Sequence, residues 1–571
     1  MFDLHYKKNR NDGLFKSLEK VGITKIQNYV PLYGTFFSLS DNNYNTINLN
    51  QHYSIQGVES HDNSNRFVCK LVSDNNTARA VSFFKFSPLL DPIKYLMGKY
   101  QTLSLERFTR LPSFGNSDGI EDKVCDANNS AYVDSFFSYL TSQLLHRHKF
   151  IHGLDFYGSF LSVKKDFIAN VVDDLEYLHD SDYFHENKGT LFELMNWSED
   201  MSFDFDTRHN KKKIRISDDL SETEAASVSD LDFGDVFSAA ETKETVPDSS
   251  NNLIFEFDVM KTSSKKTAST CSSRSSNTDS ENADGSGSEG SDCDDGENSS
   301  KSSESKNSGE SLDSDLELQV SISEFPVQII CLECLDDTLD TLLSGENEMD
   351  DDEWKSCLFQ IIMTLVAYQK MFDFTHNDLH TNNIMFNKTD KKFLLYKFEG
   401  RYYKVPTFGR IYKIIDFGRA IYKYKGKIIC SDSFHPKGDA ATQYNCEPYL
   451  NDKKPRLEPN ASFDLCRLAC SLFDYFIEKL EEQSKTDDPI AKTVVEWCTD
   501  DKGRNVLYKK NGDERYPDFK LYKMIARTVT KHIPSKQVGK PLFNKFISTR
   551  KKIGKKAKVM DMDALHDYTK A

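Results

Sequence analysis

Residues 218–318 carry 25 Asp and Glu against 7 Lys and Arg. Their centre, SSRSSNTDSENADGSGSEGSDCDDGENSSKSSESKNSGESLDSD, is mostly serine, acids, glycine and asparagine. Such a segment cannot bury enough apolar surface to offset the chain entropy lost on ordering. It is expected to be disordered, so any fold must be built from the blocks on either side. Those blocks can still share one fold, because loop closure costs only about 0.6 kcal/mol per doubling of loop length. Outside the segment 64 acids face 66 bases, so the pI near 5.4 describes the segment rather than an acidic fold. Its serines lie among acids, as in SDCDDGE and SLDSDLE, and each phosphate added there would bring about 1.5–2 negative charges. The segment reads as a phosphorylatable arm for basic partners, or for the chain's own basic cluster KKIGKKAK at 551–558.

The first block is β-like. HYSIQGVES, RFVCKLV and ARAVSFFKF read as three short strands separated by the turn-rich SHDNSN and SDNNT. Residues 131–147 then place Phe136, Phe137, Leu140, Leu144 and Leu145 on one helical face, with Ser130 as the N-cap. HGLDFYGSFLSV follows as a strand, and residues 1–51 give no clear pattern. The second block opens with FPVQIICLECL, a buried strand, and continues with a helical period over 354–371. Beyond 460, SFDLCRLACSLFDYFIEKL and FKLYKMIARTVTKHI read as amphipathic helices. Strands first, helices second and a motif-rich loop region between them predict an α+β chain with two lobes.

The 12 cysteines suit reduced thiols. Cys331 and Cys334 form a lone C-x-x-C inside an apolar run, where a zinc site would show a second closely spaced pair. No apolar run approaches the roughly 18 residues of a membrane span. The N-terminus MFDLHYKKNR lacks a signal layout, so an intracellular location is expected.

The chemistry lies in two motifs. His376-Asn377-Asp378-Leu379-His380-Thr381-Asn382-Asn383 follows the helix at 354–371, and 33 residues beyond Asn383 an apolar strand ends in Asp416-Phe417-Gly418. Asp416 and Asn383 offer a carboxylate and a carboxamide, hard oxygen donors suited to magnesium beside phosphate oxygens. Asp378 is placed to accept a hydroxyl proton, and His376 to pack beside Phe417. Phosphoryl transfer asks for this set: charge neutralisation and an oriented nucleophile, with little covalent help.

H-x-D-L-x-x-x-N followed by D-F-G resembles the eukaryotic-type protein kinase superfamily. The likeness covers about 52–200 and 320–535. HNDLHTNNIMF, KVPTFGRIYKIIDFGRAI and ERYPDFKLYKMIART are more narrowly similar to serine/threonine kinases assigned in large DNA viruses. The resemblance implies a bilobal fold with a β-rich N-lobe interrupted by the acidic insert at 201–320, a hinge and α-rich C-lobe over 321–535, and a basic tail at 536–571. It implies a kinase that takes ATP and magnesium and phosphorylates serine or threonine in protein substrates. Lys85 matches the lysine that holds the α- and β-phosphates, chosen over Lys70 because three strands should precede the helix. Asp134 stands where the helix partner of that lysine is normally a longer Glu. Glu333 and Leu335 fit the hinge that binds adenine through the backbone. Asp464 matches the Asp of D-x-W-S-x-G that braces the catalytic loop, with Cys466, Arg467 and Ala469 replacing Trp, Ser and Gly.

Other departures matter. No G-x-G-x-x-G precedes Lys85. Gly57 is the one glycine in the expected region, with Ser60, Asn63 and Ser64 as substitutes for gripping phosphate. Asn377 replaces the Arg that reads a phosphorylated activation loop, so activity is expected without phosphorylation at Ser431, Ser433 or Thr442. FLLYKF-EG-RYYKVP, between the motifs, reads as an added hairpin. Two other readings stand beside the protein kinase: a small-molecule kinase of the choline or aminoglycoside type, where H-x-D-L-H and I-D-F-G-R-A also occur, and a pseudokinase scaffold presenting the acidic tract. The basic cluster at 551–558 reads as a solvated tail, and nucleic acid is not an expected partner.

Overall fold

In the computed structural model the described residues are 2–62, 65–74, 76–195, 318–344, 348–554 and 557–570, all within one unit. The acidic arm, with the apolar run at 253–260 and any pairing to the basic cluster, lies outside them. The architecture is α+β. A seven-stranded antiparallel sheet comprises β1 (Ile23–Gln27), β2 (Ser54–His61), β3 (Arg66–Ser73), β4 (Asn76–Pro88), β5 (Phe156–Asn170), β6 (Phe192–Met195) and β7 (Gln319–Glu333). Its order is β1-β5-β7-β4-β3-β2, with β6 also paired to β7.

β4 shows the alternation of a half-buried strand. Ser82, Phe84 and Phe86 are buried on one face, while Phe83 and Lys85 lie on the other. Phe84 stacks on Phe67 of β3 at 4.1 Å between ring centroids. Helix α1 (Ser130–His148) packs against β5 and β7. Its N-cap is Asn129, not Ser130: the Asn129 side chain accepts the Ala131 N–H at 3.0 Å.

The second half is mainly helical. α2 (Asp351–Phe372) starts three residues before the apolar period because Asp350 and Glu353 form a capping box. It is followed by β8 (Ile384–Lys388), a hairpin of β9 (Phe393–Phe398) and β10 (Arg401–Pro406), and β11 (Arg410–Ile414), which pairs with β8. The hairpin turns at Glu399 and Gly400, both with positive φ (49° and 73°), as a two-residue primed turn requires. Helices α3 (Phe463–Phe476) and α4 (Lys520–Thr528) contact each other. No helix among the described residues is long and apolar enough to cross a membrane.

Both ends of the chain are folded in. β1 joins the sheet edge, and Phe2 donates its N–H to the Tyr568 hydroxyl at 2.9 Å. Lys551, Lys552 and Lys558 of the basic cluster are exposed, in line with a solvated tail, but residues on either side of the cluster are packed. Phe543, Phe546 and Tyr568 are buried, and the Tyr568 N–H reaches Met371 O at the end of α2.

The two halves meet through an ion pair absent from the sequence expectations. Lys413 of β11 bonds Glu333 at the end of β7 and Gly153 O, with Lys413 5% and Glu333 16% exposed. Glu333 also accepts the Asp155 N–H and an Asn387 N–H. Lys413→Met removes the cation from a carboxylate that is mostly covered and is expected to lower the free energy of unfolding by about 3 kcal/mol. Urea denaturation checks this. A loss under about 1 kcal/mol, the range of an exposed pair, would contradict it.

Candidate active site

The site begins with Lys85. Its ammonium lies 2.7 Å from Asp134 Oδ2 on α1 and 2.9 Å from Asp416 Oδ1. The shorter Asp suffices at position 134 because its second oxygen, Oδ1, accepts the Phe417 N–H at 3.0 Å. One carboxylate therefore holds both the strand lysine and the backbone after Asp416. Burial is the largest influence on both acids. At Asp134 burial, joined by the Asp416 charge, outweighs Lys85 and raises the pKa. At Asp416 the Lys85 charge and hydrogen bond outweigh burial and keep the pKa below the usual carboxylate value. Lys70, the other candidate lysine, is exposed on β3.

The loop 375–383 is held from beneath. Asp464, fully buried on α3, accepts the N–H groups of His376 at 2.9 Å and Asn377 at 3.0 Å. His376 packs 5.8 Å from the Phe417 ring and sits between Ile415 O at Nε2 and the Asp378 N–H at Nδ1. These partners select the neutral Nε2–H tautomer. Phe417 is buried against Phe137 of α1, at 4.7 Å between centroids. Gly418 lies close beneath Asp416, where a Cβ would stand 3.4 Å from Asp416 Oδ1. Asn377 and Asp416 both adopt positive φ, 68° and 61°, a conformation uncommon outside glycine and concentrated at functional sites. The Asn377 amide is buried: it donates to Arg419 O at 2.9 Å and accepts the Tyr444 hydroxyl at 2.7 Å.

Asp378 Oδ1 accepts the Tyr522 hydroxyl of α4 at 2.8 Å. Burial pushes its pKa up, but Arg419, His380, Arg467 and that hydroxyl outweigh burial and hold it well below the usual carboxylate range. His380 is itself pushed down to about 4 by burial, so at neutral pH the arginines supply the charge. The Arg467 and Arg419 guanidinium groups lie 5.0 and 5.7 Å from the Tyr522 ring centroid, and Arg419 pairs with Asp439. Asn383 donates from Nδ2 to Asp378 O at 2.9 Å, turning its oxygen the opposite way. An ionised carboxylate, an ammonium and two further hard oxygen donors together suit the charge separation of a polar transfer reaction.

Three expectations change. Gly57 is a strand residue opposite Lys70, itself opposite Arg79. Arg79 precedes Lys85 by six residues, about 20 Å along the strand, so Gly57 is not brought to the site. Ser60 is likewise a strand residue, opposite Val68, and Asn63 and Ser64 lie outside the described residues. The described Asn65 takes a left-handed φ of 59°, as a glycine would. Glu333 spends its N–H on Asp155 O and its carboxylate on Lys413 and Asn387, so neither its N–H nor its side chain is open to adenine. Leu335 keeps a backbone N–H with no backbone acceptor among the described residues. Ser431 and Ser433 are buried, which leaves Thr442 as the exposed candidate phosphosite.

Sequence reasoning missed Arg467, Tyr522 and Arg419 as neighbours of Asp378. Arg467 was visible only as a departure from D-x-W-S-x-G, and the departing residue is one that helps hold the Asp378 pKa down.

No protein-family model matches the chain. Among curated proteins, 52 residues, 9% of the chain, are 42% identical to a probable serine/threonine-protein kinase of Dictyostelium discoideum. The match spans 4% of that protein's length. Over this short stretch the chain is similar to a protein described as a kinase.

Proposed function

We propose that the chain transfers the γ-phosphate of magnesium-ATP to serine or threonine hydroxyls of protein substrates, on a bilobal protein-kinase-like fold with its cleft between the sheet and the helical half. The observation that carries this reading is the convergence of Lys85, Asp134 and Asp416 on one ion-paired contact, beside the braced loop bearing Asp378 and Asn383. The short likeness to a probable serine/threonine-protein kinase and the order of the H-x-D-L-x-x-x-N and D-F-G motifs support it.

Lys85 would bind the α- and β-phosphates, and the Leu335 backbone would meet the adenine. Asp416 and Asn383 fit magnesium by donor chemistry, since both present hard oxygens. The metal would supply neutralisation of phosphate charge. Asp378, held by Tyr522, would orient the acceptor hydroxyl and take its proton as the oxygen bonds to the γ-phosphorus and ADP leaves. A carboxylate this acidic is a weak base, which suits a loose transition state that asks for positioning before proton removal.

Asp416→Ala removes a proposed ligand but no core volume. It should cut transfer from labelled ATP about a hundredfold or more while the chain still unfolds cooperatively. Wild-type-like turnover would contradict the assignment.

The electrostatics give a second test. Asp378 must be ionised to act, so activity falls as pH drops through its pKa. Arg467 helps hold that pKa down, so Arg467→Leu should move the acid limb of kcat/KM to higher pH. A limb that stays in place, or moves lower, would show that another group sets it.

A further inference from the structure

The segment after Asp416-Phe417-Gly418 is fastened to the start of α1 by a contact the proposed reaction does not itself use. Asp432 is 6% exposed. Its Oδ2 lies 2.7 Å from the Lys123 ammonium, on the short helix Asp122–Cys125 before α1. Its Oδ1 accepts the Ser130 N–H at 3.0 Å, and its own N–H donates to Asn128 O at 2.7 Å. A carboxylate here satisfies one of the open N–H groups of the first turn of α1 and lies at the positive end of the helix dipole. Asn129 completes the seat, holding Leu89 O and Lys123 O through its side chain at 2.9 Å each. The Asp432 turn is itself tight: a Cβ at Gly438 would stand 2.3 Å from Ser433 O and 2.5 Å from Asp432 O.

One helical turn beyond Ser130 stands Asp134, whose carboxylate holds Lys85 and the Phe417 N–H. A shift of the first turn of α1 would therefore move the residue on which the site converges. Segments after such a site are often ordered by adding a phosphate, whose charge pairs with a cation. In this chain the charge is already a side chain, its cation is Lys123, and the serines on either side of it are buried.

We infer that Asp432 is a positioning residue: a permanent carboxylate that seats the first turn of α1 and so keeps Asp134 on Lys85 without phosphorylation. The inference rests on the function proposed above for its effect on turnover, but not for the seat itself.

The test compares the full chain with Asp432→Ala, Asp134→Ala and the double variant. Hydrogen–deuterium exchange is followed over 128–137, and phosphoryl transfer is measured before and after phosphatase treatment. Asp432→Ala should speed exchange across 128–137 and lower kcat about tenfold with KM for the protein acceptor unchanged. In the Asp134→Ala background it should cost less than twofold more, because the seat acts through Asp134. Phosphatase should leave wild-type turnover unchanged. Unchanged exchange in Asp432→Ala, a full further loss in the double variant, or a large loss after phosphatase would each overturn the inference. If the wild-type chain shows no transfer, the proposed function fails, and the exchange result alone still decides the seat: faster exchange supports it and unchanged exchange overturns it.

Discussion

The Lys85 ammonium, shared by Asp134 and Asp416, is the contact on which the rest of the site depends. A lone buried ammonium between two carboxylates is costly unless every remaining lone pair finds a partner. Asp134 meets that condition by taking the Phe417 N–H. The consequence is geometric. Strand β4, helix α1 and the backbone around Phe417 cannot move independently, since each supplies one end of the same short set of bonds. The α+β layering thereby becomes a device for holding charges at fixed separations.

The second half of the site is held by a different means. Asp464 accepts two consecutive backbone N–H groups, which fixes the peptide planes leading into Asp378. The positive φ at Asn377 would be strained in isolation and is tolerated because the Asn377 amide is bonded on both sides. Arg419, Arg467 and Tyr522 then help hold the pKa of the carboxylate that the loop presents below the usual range, against its burial. Between the two halves, Lys413 and Glu333 place a buried ion pair where β11 meets the end of β7.

Much of this was legible from local pattern. The alternation in ARAVSFFKF gives β4 and the side on which Lys85 lies. The period in 131–147 gives α1, and Glu399-Gly400 gives the hairpin turn. What was not legible depends on partners distant in sequence. Ser130 and Asn129 are both good cap formers, and choosing between them requires knowing that Asp432 takes the Ser130 N–H from 302 residues away. That the start of the chain packs on its far end was also illegible, because Phe2 and Tyr568 find each other across 566 residues. Gly57 misled because composition can show a glycine but not its register: pairing with Lys70 sets it well along the sheet from Lys85. Arg467 and Tyr522 carry no periodic signal, since each is simply one residue of an amphipathic helix until α3 and α4 are brought together.

The central claim is that a charge cluster built on Lys85 serves phosphoryl transfer. It is tested most directly by the transfer of label from γ-labelled ATP, with magnesium, to a generic protein acceptor, comparing the full chain with Lys85→Met. The account predicts phosphoserine or phosphothreonine product from the wild-type chain and a loss of about a hundredfold or more in the variant. Equal transfer by both proteins, or none from a folded wild-type chain, would contradict it.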